Sequence, residues 1–213
     1  MSTPNNPDSR QRIAWPLAMA VADEVVAELR PHCEKVEVAG SLRRRSETVK
    51  DVEVLIIPKF GPQPTDMFGH RLGAPEDFAM SYLATALEAK DPYWRLRPSA
   101  VGGTSFGALN KLLLRRTRPG FPVEWLPVDV FTATAANWGR DLAVRTGPAA
   151  WNKAIATMVL KSGRHFHAYG PHAFSRGSET FDAPDEAAFF RWLGLPLLAP
   201  PDRTDAAAER LLV

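Results

Sequence analysis

Cysteine is almost absent from this chain of 213 residues, since Cys33 is the only one. A single thiol excludes an intramolecular disulfide and favours a reducing compartment. Apolar runs are too short for a membrane span, which needs about 18 residues, and the polar start of the chain does not form a signal peptide. These absences predict a cytoplasmic protein without contacts to a membrane.

A strong excess of charge of one sign is missing as well. The chain has 26 Lys and Arg against 24 Asp and Glu, which gives a net charge of +2. Such a balance does not by itself indicate a polyanionic partner, so a basic surface must come from local clustering. Arg43, Arg44 and Arg45 form one such cluster. For Arg43 and Arg45 two interpretations stay open, a solvated basic helix face and contact with a nucleic-acid backbone.

The apolar pattern predicts helices and strands in mixed order, as in an α+β fold. Apolar residues recur every four positions from Ile13 to Leu29, which is typical of an amphipathic helix that stops at Pro31. Strands are predicted at 35–40, 51–58, 107–116 and 123–135. Further helices are predicted at 40–47, 75–90, 148–163 and 183–194. Asp182 is placed to cap the last of these helices, and Gly194 is placed to end it.

Two carboxylates interrupt the predicted strand at 51–58. Residues two apart in a strand point to the same face, so Asp51 and Glu53 share one side while Val52 and Val54 fill the other. Like charges at this spacing repel each other unless a cation lies between them. Carboxylate oxygens suit hard divalent cations, so the pair is a candidate site for Mg²⁺ or Mn²⁺. The alternative is an acidic, solvated sheet face, which is common for an arbitrary pair of this kind.

An anion site is predicted shortly before these acids. Gly40 and Ser41 lie where a strand is predicted to turn into a short helix, and free backbone N–H groups and the helix dipole attract anions there. Arginines follow at once. An anion site next to a cation site suits a metal-bound polyphosphate, which is the substrate of nucleotidyl transfer.

The same residues resemble a known motif. G-S-x-R-R followed by D-x-[DE], here at 40–44 and 51–53, is similar to the palm motif of the nucleotidyltransferase superfamily, and specifically of family X DNA polymerases, the group of DNA polymerase beta. A third acid, Asp129, follows in LPVDVF. The segment RTGPAAWNKAIA then resembles the family's thumb through Thr146, Gly147 and Asn152. The resemblance covers roughly residues 36–203.

The resemblance implies a fold and a reaction. It implies a nucleotidyltransferase palm with a mixed or antiparallel sheet and helices on one face at 10–137, a small α/β thumb at 138–213, and a disordered start at 1–9. Asp51, Glu53 and Asp129 would act in catalysis by holding two Mg²⁺ ions, for which Mn²⁺ substitutes. The implied reaction is DNA-directed addition of nucleotides to a primer 3′ end, as in short gap filling or repair.

The resemblance also implies how a nucleotide and DNA are bound. Residues assigned to the incoming dNTP or NTP are Gly40, Ser41, Arg44, Arg145, Gly147, Trp151 and Asn152. Residues assigned to the DNA primer and template are Arg43, Arg45 and Lys153, and the protein is expected to be a monomer. Arg145 stands where the family has an aromatic residue that excludes a ribose 2′-hydroxyl, so weak sugar selection is expected.

Two other kinds of function stay open. One is a template-independent terminal transferase, or a transferase that modifies RNA or protein. The other is a degenerate nucleic-acid binder without activity. All three acids and the Gly40–Ser41 corner are present, which favours an active enzyme.

Overall fold

The computed structural model describes residues 11–98 and 103–212, so the predicted disordered start at 1–9 lies outside the described residues. The strands are β1 (Ile13–Ala14), β2 (Cys33–Val38), β3 (Thr48–Val49), β4 (Val52–Pro58), β5 (Trp94–Leu96), β6 (Asn110–Arg116), β7 (Trp125–Thr132), β8 (His165–Phe166), β9 (Phe174–Arg176) and β10 (Glu179–Phe181). The α-helices are α1 (Trp15–Leu29), α2 (Gly40–Arg43), α3 (Phe78–Glu88), α4 (Trp138–Thr146), α5 (Ala149–Lys161), α6 (Glu186–Leu193) and α7 (Asp205–Arg210). The fold is α+β, as the sequence predicts.

Five strands form the central sheet, in the order β2-β4-β7-β6-β5. The pair β4 and β7 is parallel, and the other neighbouring pairs are antiparallel. The sheet is therefore mixed. Its parallel pair places Glu53 directly opposite Asp129.

One face of the sheet packs against α1 and α3. Val52, Val54 and Val128 point to this side with 0% exposure, and they form a hydrophobic cluster with Val25 of α1 and Leu83 of α3. Burying one such side chain contributes about 1.5–3 kcal/mol. This packing fixes the register of the sheet, because a slip by one residue would turn the valines out and the acids in.

The opposite face carries the acids and is covered in part. At one end of β4 and β7, Leu55 and Phe131 pack with Trp138 and Leu142 of α4. α1 and α3 thus lie on one side of the sheet, while α4, from the C-terminal part, covers a portion of the other side. The acids lie beside this covered portion.

The C-terminal part has its own core. Phe174, Phe189 and Phe190 are at most 1% exposed. They belong to a hydrophobic cluster whose members come from helices α4 to α7 and from the small sheet β10-β9-β8. Its members lie within 143–211, whereas those of the cluster under α1 and α3 lie within 13–130. The predicted boundary between residues 137 and 138 falls between these two cores.

Three local predictions differ from the structure. The first helix begins at Trp15, because Ile13 pairs with Val49 as part of β1. Asp185 caps α6 by accepting a hydrogen bond from the Ala188 N–H at 2.6 Å, whereas Asp182 pairs with a histidine. Helices α4 and α7 have no counterpart among the predicted elements. Gly194 does end α6, with a left-handed φ of 74°.

Candidate functional site

The three predicted carboxylates meet on the partly covered face of the sheet. Glu53 on β4 lies beside Asp129 on β7, because the parallel strands pair at these two residues. Neighbouring strands are about 4.8 Å apart. Asp51 comes just before β4 and repels the Glu53 carboxylate, so its charge is near as well. The structure thus brings together acids from two segments that are far apart in the sequence.

The pKa of Glu53 is shifted strongly from its ordinary value. Burial raises the pKa of its carboxyl from 4.5 to about 7, and repulsion from Asp51 and Asp129 adds to this rise. Arg145 and Arg44 oppose the rise without cancelling it. Burial is the larger cause of the rise, and a cation bound beside this carboxylate would favour its ionised form.

Gly40 is required by the close approach of Glu53. Its φ is +64°, and a Cβ at this position would lie 2.0 Å from the Glu53 Oε2 atom. The neighbouring Ala39 N–H donates to the Glu53 carbonyl at 2.8 Å, which holds the start of α2 against β4. The Gly-Ser corner and the acidic strand are therefore one packed unit.

Four predicted residues line a single cavity of about 350 Å³. Ser41 and Arg44 come from the predicted phosphate site, and Asp51 and Glu53 from the predicted metal site. Its remaining walls come from residues that the sequence did not single out: Arg12, Ser46, Thr48 and Lys50. The volume is in the range of small-molecule sites.

Arg12 reaches this cavity through the strand pairing of β1 with β3. Its guanidinium donates to the Thr48 carbonyl at 3.0 Å and to the Thr48 hydroxyl at 3.3 Å. Trp15 makes two further hydrogen bonds near this strand pair. Its backbone N–H donates to the Glu47 carbonyl, and its indole N–H donates to the Leu42 carbonyl at 2.8 Å. Arg12 is therefore a second arginine, beside Arg44, in the lining of the cavity.

Arg44 connects the cavity to the C-terminal part. Its guanidinium donates to the Thr146 carbonyl, and a Cβ on Gly147 would lie 3.4 Å from its Nη1 atom. Burial lowers the pKa of Arg44, while the charge of Glu53 opposes that change. Arg44, which is predicted to bind phosphate, thus contacts the Thr146–Gly147 segment, which is predicted to lie near the nucleotide.

Arg43 is held by other protein groups. It donates to the Glu186 carboxylate at 3.0 and 2.6 Å and to the Thr146 hydroxyl at 2.9 Å. Arg203, which is 0% exposed in its side chain, donates to the same carboxylate at 2.8 Å. The structure therefore gives Arg43 a bracing role between α2 and α6, and its predicted contact with nucleic acid would require these bonds to open.

Arg145 lies close to two aromatic rings. Its guanidinium carbon is 3.5 Å from the centroid of Phe131 and 5.4 Å from that of Tyr169. The three side chains share a second cavity of about 320 Å³ with Asp141. Arg145 also lowers the pKa of Glu53, so it lies near both the acids and this cavity.

Trp151 and Asn152 serve the C-terminal fold. Trp151 is 2% exposed and packs near Phe190, so its ring is in the core and not on a surface that a nucleotide reaches. Asn152 donates to the Val144 carbonyl at 2.8 Å, which ties α5 to α4. Arg45 and Lys153 are exposed, and their contact with a nucleic-acid backbone stays a prediction.

Arg97 is a functional candidate that the sequence did not reveal. It forms a two-pronged ion pair with Asp129, at 2.7 Å and 3.0 Å, and both side chains are at most 13% exposed. The two residues are 32 positions apart, and nothing in the local sequence links them. Arg97 thus holds one of the three acids.

The donors of this site suit a hard divalent cation. Within residues 11–98 and 103–212, no three His, Cys, Asp or Glu side chains are already arranged as a metal site. The acids nevertheless offer oxygen ligands only, and repulsion among them adds to the effect of burial on the pKa of Glu53, which a bound cation would oppose. To bind an ion, Asp129 would have to give up contacts that it makes with Arg97. The chemistry of these residues therefore fits Mg²⁺ or Mn²⁺.

No α-helix in the described part of the chain is both long and apolar enough to cross a membrane. In comparisons with known proteins, no family model matches this chain, and no curated protein matches it either.

Proposed function

We propose that this chain is a nucleotidyltransferase of the family X DNA polymerase type, which adds nucleotides to the 3′ end of a DNA primer. The observation that carries the proposal is the pairing of Glu53 with Asp129 beside a cavity lined by Ser41 and Arg44. This arrangement puts acids that suit divalent cations next to groups that suit phosphates. Transfer of a nucleotide from a triphosphate requires both.

In the proposed reaction, the primer 3′-oxygen bonds to the α-phosphorus of the triphosphate. The bond from that phosphorus to the bridging oxygen breaks, pyrophosphate leaves, and the hydroxyl proton passes to solvent. Two divalent ions, when bound, lower the pKa of the primer 3′-hydroxyl and neutralise charge on the pyrophosphate. Asp51, Glu53 and Asp129 would hold these ions.

The phosphate tail would lie in the cavity of about 350 Å³. The Ser41 hydroxyl donates one hydrogen bond, and the Arg44 guanidinium offers a planar set of donors that matches phosphate oxygens. Because Arg44 also contacts Thr146, a bound tail would lie close to Gly147, where the resemblance places the sugar. We place this activity in the cytoplasm, on a monomer.

A primer-extension gel tests the proposal and separates it from the alternatives. A labelled DNA primer is incubated with and without template, with dNTPs or NTPs, in Mg²⁺ or Mn²⁺. Extension that requires a template supports the polymerase, and extension of the bare primer supports a terminal transferase. The absence of any extended product, in all of these mixtures, contradicts the proposed function.

A further inference from the structure

The cavity of about 320 Å³ beside Arg145 lies where the central sheet meets the C-terminal part. Leu55 of β4 and Phe131 of β7, at most 7% exposed, line it from the sheet, while α4 and the segment 169–171 line it from the other side. Among the described residues, none that lines this cavity also lines the cavity that contains Ser41. It is therefore a separate cavity, and small-molecule sites often lie at such junctions.

The guanidinium of Arg145 brings hydrogen-bond donors to this cavity. Its carbon lies 3.5 Å from the centroid of the Phe131 ring, which restricts the plane of the group. The charges of Glu53 and Asp141 are near, but within residues 11–98 and 103–212 no acceptor is hydrogen-bonded or ion-paired to Arg145. A planar guanidinium with unused N–H groups matches a ligand that has two adjacent acceptor atoms.

Asp141 brings an acceptor to the same cavity. It lies one helical turn before Arg145 on α4, yet its ion pair is with Arg140, whose Nε atom donates to Oδ1 at 2.9 Å. Burial raises the pKa of Asp141, and the charge of Arg140 opposes this rise. A carboxylate has about four acceptor positions, so Asp141 can still accept hydrogen bonds from a ligand.

The entrance of the cavity is apolar and aromatic. Leu109 and Tyr169 line it with exposures of 77% and 68%. An exposed tyrosine ring beside a cavity is suited to stacking on a planar ligand. The site thus combines a ring for stacking, a donor group at Arg145 and an acceptor group at Asp141.

Guanine has this combination of groups. Its O6 and N7 atoms are adjacent acceptors, and a bidentate contact from arginine to this pair is the commonest specific contact to a base. Its N1–H and 2-amino groups, on the neighbouring edge, are donors that suit a carboxylate. Adenine instead has an amino group beside N7, which would face the arginine with a donor.

We propose that this cavity binds the base of a free guanine mononucleotide, with O6 and N7 at Arg145, the N1–H and 2-amino groups at Asp141, and the ring against Tyr169. The volume of about 320 Å³ is at the lower end for small-molecule sites, which suits a base with its sugar and phosphate outside. The site requires no metal ion and does not depend on the proposed function.

Calorimetric titration with GMP, IMP and AMP in EDTA tests this proposal, because the three ligands share their sugar and phosphate. GMP should bind at least fivefold more tightly than AMP, the lower limit for one bidentate contact to a base. IMP lacks the 2-amino group and should bind more weakly than GMP. Equal affinities for GMP and AMP, or no binding of GMP, would overturn the proposal.

Three substitutions test the assigned contacts. Asp141→Asn should reduce the preference for GMP over IMP, and Arg145→Lys, which keeps the charge but loses the paired N–H groups, should weaken GMP binding at least fivefold. Tyr169→Leu changes an exposed side chain and should weaken binding without altering the circular dichroism spectrum. Glu179→Gln, an exposed acid of β10, is the control and should bind GMP like the wild type. Unchanged GMP binding in both Asp141→Asn and Arg145→Lys would contradict the site.

Two competition experiments test the location and the kind of ligand. An excess of dCTP with Mg²⁺ should leave the affinity for GMP unchanged, because the two cavities have separate linings. Displacement of GMP by dCTP would place GMP in the site for the incoming nucleotide and overturn the proposal. A single-stranded oligonucleotide ending in guanine that binds more tightly than GMP would also overturn it. Specific GMP binding by a protein that adds no nucleotides would refute only the proposed function.

Discussion

Glu53 is largely buried between two other acids, so its ionisation costs the folded state free energy. Below a pH of about 4.5, the usual pKa of the group, it is protonated in both the folded and the unfolded chain, and stability is unaffected. Above about pH 7 it is ionised in both, and the folded state bears the full cost. The metal-free protein therefore loses stability as pH rises between these values, on the order of a few kcal/mol, since one pKa unit equals about 1.4 kcal/mol.

Glu53→Gln removes this cost. We expect the melting temperature of the variant, in EDTA, to exceed that of the wild type at pH 8 and to match it at pH 4. Glu34→Gln, which changes an exposed acid of β2, should follow the wild type at both pH values. Equal melting temperatures of wild type and Glu53→Gln at pH 8 would show that Glu53 ionises without cost.

Arg97 competes with any cation for Asp129, since its guanidinium contacts both carboxylate oxygens. We expect Arg97→Gln to tighten Mn²⁺ binding several-fold, measured by calorimetry without nucleotide or DNA, because a ligand is released from an ion pair. Arg95→Gln removes the same charge two residues earlier in the chain, without this contact, and should leave the affinity unchanged. Weaker Mn²⁺ binding by Arg97→Gln would show instead that Arg97 orients Asp129 for the metal.

Between elements, the main polar connection links α2 to the start of α6. Burial alone would raise the pKa of Glu186, but hydrogen bonds from Arg43 and Arg203 outweigh burial and lower it. Removing the carboxylate would leave two arginines, one fully buried, without their charged partner.

Glu186→Ala should therefore lower the free energy of unfolding by about 3–5 kcal/mol, the range for breaking a buried ion pair from one side. Urea unfolding measures the change. Glu179→Ala, an exposed acid of β10, should stay within about 0.5 kcal/mol of the wild type. A loss of less than about 0.5 kcal/mol in Glu186→Ala would show that the ion pairs of Glu186 contribute little to stability.

The longer elements were predictable where their buried positions are apolar. The regular apolar spacing of α1 and the valines of β4 made both recognisable. Helix α4 was missed because Gly139 and Arg140 take two of its buried positions. A Cβ on Gly139 would lie 2.0 Å from the Asp185 backbone, and Arg140 donates to three backbone carbonyls of the segment 167–172. Both requirements arise from neighbours far along the chain.

Across the whole molecule, the site combines what the sequence showed with what only the fold supplies. Asp51 and Glu53 stood out because two acids in an apolar strand break its pattern, and the family resemblance pointed to Asp129. Arg12 and Arg97 gave no local signal, since their partners lie 36 and 32 residues away. Trp151 was assigned to the incoming nucleotide, yet core packing determines its position.

The central claim is that Asp51, Glu53 and Asp129 hold the cations used in nucleotide addition. The most direct measurement is the single-turnover rate of dNTP addition to a labelled primer in Mg²⁺, for the wild type, Asp51→Ala, Asp129→Ala and the exposed-acid control Glu34→Gln. We predict that either alanine variant loses more than about 10²-fold in rate with an unchanged circular dichroism spectrum, the scale for removing a preorganised electrostatic group, while Glu34→Gln keeps the wild-type rate. Wild-type rates in both alanine variants would contradict the account.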